Sequence, residues 1–449
     1  MGGKHYLPLT DEDRRDMLTA IGANSVEDLF NDIPTAVRLQ NQLDLPPALA
    51  ESEVLDHLNS LASKNKHFHN CVSFMGAGVY DHFIPSVIRH ITGRSEFYTS
   101  YTPYQPEVSQ GILQAIFEYQ TMICQLTGMD VANASMYDGG TAVAEGAIMG
   151  CGATRRSKVL VSRSVSPFYR GVLRNYFHSR GLILEEIPLI DGCTNREALG
   201  KMLGEDVAAV VLQQPNFFGM VENMSGIAEA VHNHKAVLVI SADPLSLPLL
   251  QAPAEYGADI VVGEGQGLGV PASFGGPLLG IMAARDKFVR QMPGRIAGET
   301  VDSEGNRGFV LTLQTREQHI RREKAASNIC SNEALVALGA SVYLAVMGPK
   351  GMYEVAEQCL QKAAYARDKI TALEGFFLTF PGINFKEFAV TVPGDPAELN
   401  KKLLENNILG GVDITSFYPE LKNTMLFAVT EKRTRQEIDD LVRVMEGWK

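Results

Sequence analysis

The chain has 449 residues, 45% of them apolar, and a formal net charge of −12; this length suits one large domain with one or two smaller ones, and the acidic balance disfavours nucleic acid or an anionic membrane as a partner. Its six cysteines are scattered with no CxxC pair, which fits free thiols in a reducing compartment better than a disulfide framework or a zinc site. The N-terminus has no apolar signal core and no apolar run is expected to span a bilayer, so the expected location is the cytoplasm.

Residues 1–65 read as an accessory arm. Thr10 is placed to cap a helix over DEDRRDMLTAIG that ends at Gly22, Ser25 to cap a short helix over SVEDLF, and SEVLDHLNSLASKN reads as a polar amphipathic helix. Such an arm buries little by itself and suits wrapping a neighbouring subunit. His67 and His69, like His232 and His234, are spaced i, i+2 without a convincing third ligand, so no metal is expected.

A helix is expected over His82–Ile91. Next, Tyr98, Tyr101, Thr102, Tyr104 and Gln105 cluster in a loop stiffened by Pro103 and Pro106. Rings and hydroxyls on a stiff loop suit holding a flat ligand or filling a partner's pocket; packing on the chain's own core is the plainer alternative. Ser109 to Leu126 has helical apolar spacing with Gly128 as the stop. In ANASMYDGGTAVAEG a strand ends near Tyr137, Asp138-Gly139-Gly140 turns, and a small-residue helix starts near Thr141. Free N–H groups at such a start can hold an anion, although the same turn can simply let a helix approach a sheet.

From Lys158 onward strands (KVLVSR, LILEEI, VAAVVLQQP, AVLVIS) alternate with helices, the rhythm of a mostly parallel sheet covered on both faces. AVLVISADP ends in Asp243, and a second strand empties into the glycine-rich GEGQGLGVPASFGGP. Ligands of α/β sheets bind beyond the carboxyl ends of strands, and an Asp there suits the protonated ring nitrogen of pyridoxal phosphate (PLP), which such enzymes hold on a lysine; capping the turn before Pro244 is the alternative. No lysine occurs between Lys235 and Lys287, and Gln266 stands near the expected place. PLLGIMAA is a further strand and RDKFVRQM a helix. FVLTLQ is a strand and TREQHIRREKA a basic helix. Ser331 caps a helix stopped by Gly348-Pro349, another runs from Met352 to Leu373, and the rest alternates as a small α+β cap. The expected division is an arm (1–65), a large α/β domain (66–320) and a small C-terminal domain (321–449).

YTPYQPEVSQG, ANASMYDGGTAVAEG, VPASFGGP and RREKAASNIC, taken in this order, resemble the glycine cleavage system P-protein family, glycine dehydrogenase (decarboxylating), over essentially the whole chain. Length and motifs are similar to its alpha subunit, subunit 1. The resemblance implies a PLP-dependent aminotransferase-like fold of type I, decarboxylation of glycine through PLP, and passage of the aminomethyl group to the lipoyl arm of H-protein. It also implies a beta subunit as partner, in a heterotetramer, carrying the histidine–lysine pair and hence the covalent PLP. That lysine has no counterpart here, so no catalytic residue is assigned to this chain. Asp138, Gly139, Gly140, Thr141 and Asp243 become a vestigial cofactor site. Tyr98, Tyr101, Thr102, Tyr104 and Gln105 become a contribution to the partner's active site. Of Arg321 and Arg322, at most one is expected to face a site. The competing reading is a non-catalytic scaffold that stabilises the beta subunit; it expects the tyrosine loop to lie far from the partner's cofactor.

Overall fold

The computed structural model describes residues 8–39, 41, 43–325 and 327–448. The chain forms two compact units, Met1–Lys66 and His67–Lys449. In the first, Thr10 caps the helix Asp11–Ile21 through the Asp13 N–H, and Gly22 ends it at φ 75°, a left-handed position that favours glycine. SVEDLF forms a 3-10 turn, Val26–Phe30, and Glu51–Ala62 is the third helical segment. None of the three contains a buried residue.

The second unit is built on a seven-stranded sheet in the order Val131–Ala132, Gly280–Ala284, Ile260–Glu264, Val237–Ala242, Val207–Gln214, Lys158–Ser162, Ile183–Ile187. The five strands from Ile260–Glu264 to Ile183–Ile187 pair in parallel, and Gly280–Ala284 runs antiparallel to both its neighbours. Every residue of Val237–Ala242 is buried, as expected of a parallel strand covered on both faces. The helix Gly139–Thr154 lies close on one face. A Cβ at Gly150 would stand 2.8 Å from the Ala209 Cβ, so small residues set that approach.

A four-stranded antiparallel sheet follows, with Phe377–Leu378, Glu387–Thr391, Thr424–Ala428 and Val412–Asp413 adjacent in that order. Pro396–Glu405 and Arg435–Met445 are its helices. Val72–Ser73 pairs in parallel with Ile408–Leu409, tying the start of this unit to its far end.

Several local expectations need correction. The helix expected from His82 begins only at Ser86, after Pro85, because proline suits a helix start and not its interior. RDKFVRQM holds only a 3-10 turn, Asp286–Phe288. TREQHIRREKA is broken into short turns, with Arg322 at φ 54°. The expected strand at FVLTLQ is the second strand of a hairpin, Arg307–Thr312 paired with Ile296–Val301, and its turn is the polar VDSEGNRG segment; the first strand, Ile296–Val301, was not expected. Glu333, rather than Ser331, precedes the next helix, Ala334–Thr371, which is broken at Gly348 (φ 58°, ψ −179°). A window of this segment, with mean hydropathy 1.4, is apolar and long enough to cross a membrane by length and composition, contrary to expectation. Ala337, Ala340, Tyr343 and Ala356 from it pack into the core beneath the central sheet.

Candidate functional site

A pocket opens at the carboxyl ends of the central strands. Asp243 follows Val237–Ala242, Glu264 ends its neighbour, and Lys386 and Glu387 enter from the small sheet, with Tyr80 and Tyr169 completing the wall. The Lys386 ammonium lies 2.6 Å from Oδ2 of Asp243, 3.2 Å from Nε2 of His82 and 3.7 Å from the centroid of the Tyr80 ring, a cation–π contact. Asp243 also performs the turn role considered for it, with Oδ1 accepting from the Leu245 N–H at 3.0 Å. Glu387 accepts from the Ala77 N–H (2.6 Å) and the Tyr80 hydroxyl (2.8 Å).

Asp138, Gly139, Gly140 and Thr141 form the expected turn. Asp138 is the N-cap of Gly139–Thr154, accepting from the Thr141 N–H at 2.7 Å. The helix therefore starts two residues before the expected Thr141. The Gly139 N–H donates to Oε2 of Glu264 (2.9 Å), whose other oxygen accepts from Gln266 (2.9 Å) and Leu279 (3.0 Å). The anion at this helix start is thus the protein's own carboxylate. A Cβ on Gly139 would come 2.6 Å from the Tyr169 hydroxyl, so the turn is also a close-packing device. Burial is the largest influence on both Glu264 and Glu387 and pushes each up to about 7, against the hydrogen bonds they accept.

Gln266 is 1% exposed. Its amide donates to the carbonyls of Tyr80 (3.0 Å) and Val270 (2.7 Å), and its oxygen accepts from the Tyr80 N–H (2.9 Å). Behind Lys386, Nδ1 of His82 meets Oε2 of Glu431 at 2.7 Å, with the Cys359 thiol 3.5 Å from the same oxygen. His82, Cys359 and Glu431 bring their ligand atoms within 4.8 Å of one another, yet His82 and Glu431 are already joined to each other and, through His82, to Lys386. Sequence reading missed this chain of contacts, as it missed Lys386, because its members lie in segments far apart and share no motif.

The tyrosine loop stands elsewhere. Tyr98 and Tyr101 border a cleft with Ile112, Tyr119 and Leu335, which shares no lining residue with the Asp243 pocket. Tyr98, Tyr101 and Tyr104 are 56%, 77% and 50% exposed; Tyr98 ends the short helix Ser95–Tyr98 instead of lying in the loop, and Thr102 and Gln105 share the irregular stretch of Tyr101 and Tyr104. The Tyr104 hydroxyl accepts from Arg295 at 3.1 Å, and its ring lies beneath that guanidinium, 5.4 Å to the centroid. Leu335 also borders the neighbouring cleft with Ser273 and Pro277, where Phe274 is 95% exposed at φ 58°. Arg321 and Arg322 are both exposed and outside these clefts.

A mostly parallel sheet with an Asp beyond one strand, a glycine turn opening a long helix packed on it and a small C-terminal sheet define the fold of PLP-dependent enzymes of type I. A sphingosine-1-phosphate lyase from Burkholderia pseudomallei shares this fold at a TM-score of 0.66 and 12% identity, over 92% of this chain and 93% of that one. The chain belongs to the glycine cleavage system P-protein family, which it matches over residues 4–445. It is 57% identical to a probable glycine dehydrogenase (decarboxylating) subunit 1 from Moorella thermoacetica, over 98% of this chain and 99% of that one. It also resembles a crystal structure of glycine decarboxylase (P-protein) of the glycine cleavage system in inhibitor-bound form, with TM-score 0.89, 46% identity and coverage of 98% and 99%.

The residues in this chain's own pocket do not fit the cofactor that the fold implies. Asp243 is held by Lys386, and the Thr141 and Gly139 N–H groups at the helix start are held by Asp138 and Glu264. The space left for water centres is about 40 Å³, room for a few waters.

Proposed function

We propose that this chain is the alpha subunit of a heteromeric glycine decarboxylase, catalytically silent in its own pocket and completing an active site on a lysine-bearing beta subunit. The observation that carries the reading is the Lys386–Asp243 contact in a chain whose relatives are named as subunit 1 of such an enzyme. A subunit 1 implies a subunit 2. The beta subunit would hold PLP covalently, glycine would lose its carboxylate there, and the aminomethyl group would pass to the lipoyl arm of H-protein. Tyr98, Tyr101, Thr102, Tyr104 and Gln105 would border that site, in a heterotetramer in the cytoplasm. Residues 1–65, with no buried residue in any helical segment, would wrap the partner, and domains 66–320 and 321–449 would carry the closed pocket.

The scaffold reading draws support at Tyr104, whose hydroxyl is engaged by the chain's own Arg295. Reconstitution tests the need for both subunits, and the Tyr101 and Tyr104 variants separate the two readings. With PLP, glycine and lipoylated H-protein, carbon dioxide release should require both subunits. A beta subunit fully active by itself would overturn the proposal.

A further inference from the structure

Three strands of contact converge on the loop of residues 76–83. Its Ala77 N–H and Tyr80 hydroxyl bind Glu387 of the small sheet. The Tyr80 N–H and carbonyl bind Gln266 beyond the central sheet. Asp81, 7% exposed, pairs with Lys432 at 2.5 Å and Arg433 at 2.8 Å just past the small sheet's last strand. In the space that this loop encloses, two charged side chains of the protein meet groups that could otherwise bind a ligand. One is the Lys386 ammonium on Asp243. The other is the Glu264 carboxylate, which takes N–H bonds from Gly139, Gln266 and Leu279.

We propose that Lys386 and Glu264 are built-in stand-ins for the ring cation and the phosphate of the cofactor, and that Lys386 in addition ties the small sheet to the central sheet with no ligand bound. Each has the sign and place of the group it replaces. A cation meets the carboxylate that would partner a pyridinium, and an anion meets the N–H groups that would cradle a phosphate. The two differ in reach. Glu264 belongs to the central sheet and closes only the anion hole, whereas Lys386 crosses from one sheet to the other. Lys386 is therefore a charged tie between the sheets, beside the backbone bonds from the Phe385 N–H to the Gly219 carbonyl and from the Val221 N–H to the Ile383 carbonyl, and Glu264 removes the incentive for a phosphate to enter.

Glu264→Ala vacates three backbone donors. In the full-length variant, inorganic phosphate at constant ionic strength should raise the melting temperature progressively, while wild type should respond no more than to chloride. The Glu264→Ala/Lys386→Met double variant should retain about one PLP per chain on equilibrium dialysis, and wild type should retain none beyond scattered surface labelling. Stoichiometric PLP binding by wild type, or a folded Glu264→Ala chain indifferent to phosphate, overturns the proposal. Should Glu264→Ala not fold, Lys386→Met carries the test. Hydrogen exchange across the small-sheet strands Glu387–Thr391 and Thr424–Ala428 should then accelerate at least tenfold, with Val207–Gln214 and Val237–Ala242 unchanged. Equal protection in that variant and wild type would show that Lys386 closes nothing.

Discussion

The ammonium of Lys386 stands 2.6 Å from Oδ2 of Asp243, a pair whose members enter from two different sheets. Their side chains are 3% and 20% exposed. Removing one partner of so enclosed a pair leaves the other charge unmet, at a cost of about 3–5 kcal/mol. Lys386→Met and Asp243→Asn should each lower the free energy of urea unfolding by roughly that amount. The double variant should recover much of it, so the two losses should not add.

Lys386 is the lysine that lines this pocket, but its nitrogen is engaged by Asp243, His82 and the Tyr80 ring. A protonated, paired ammonium is no nucleophile. Incubation with PLP followed by borohydride reduction and peptide mapping should therefore give only scattered surface labelling. A single stoichiometric adduct, at Lys386 or any other pocket lysine, would contradict this.

Glu264 and Glu387 are both pushed up to about 7 by burial. A carboxyl whose pKa is higher folded than unfolded makes the folded state take up protons between the two values. Its contribution is fullest below the unfolded value near 4.5 and is lost as pH rises to about 7, by about 3 kcal/mol for each group. Glu431, which burial alone would raise, is instead brought to about 2 by His82 and the Phe83 N–H, so its contribution is lost on the acid side, between about 4.5 and 2. Urea midpoints measured from pH 4.5 to 8 should decline with rising pH in wild type. They should flatten in Glu264→Gln/Glu387→Gln, and an unchanged slope would rule out these groups as its source.

Tyr101 is 77% exposed, so its replacement should hardly alter the stability of the chain. Tyr101→Phe and Tyr104→Phe should nevertheless lower turnover of the mixed complex about tenfold, equivalent to about 1.4 kcal/mol of transition-state stabilisation, while the subunits still associate. Activity within about twofold of wild type for both, and for the alanine variants, would favour the scaffold reading.

Phe274 is 95% exposed in a left-handed conformation, beside clefts that share Leu335. An exposed aromatic held in a strained backbone suits an interface. Phe274→Asp should weaken association with the beta subunit at least tenfold by sedimentation while leaving the melting temperature of the chain alone unchanged. An interface of roughly 2,000 Å² or more is expected for an obligate pair.

The central sheet is legible in the sequence because its strands are continuous apolar runs between turn signals, as in AVLVISADP. The glycine turn at 138–141 and the long helix ended by Gly128 are legible for similarly local reasons. The first strand of the hairpin at 296–312 escapes notice because IAGETV has no apolar alternation to mark it, whereas FVLTLQ reads as a strand, and the basic segment after Gln314 looks helical by composition while Arg322 breaks it. The site divides along the same line. Asp243 and the lysine-free interval around Gln266 can be found in one stretch, but the partners that close the pocket cannot. Lys386 lies in NFKEFAVTV, which reads simply as a strand, and only folding brings it to Asp243. The acid that fills the helix start, Glu264, sits in plain view in GEGQG, yet nothing in that motif says where its carboxylate turns.

Gln266 has a bearing on how such a chain can change over generations. Its amide serves three backbone groups, so Gln266→Lys would bring an ammonium into a buried niche and strip the Tyr80 N–H of its acceptor. Position 266 is also not part of the wall of the Asp243 pocket, where Lys386 and Glu264 stand. A working cofactor site would need all three positions altered together, and each change made singly costs stability without gaining chemistry. Selection acting one substitution at a time would then find no ascending path to a cofactor site in this chain.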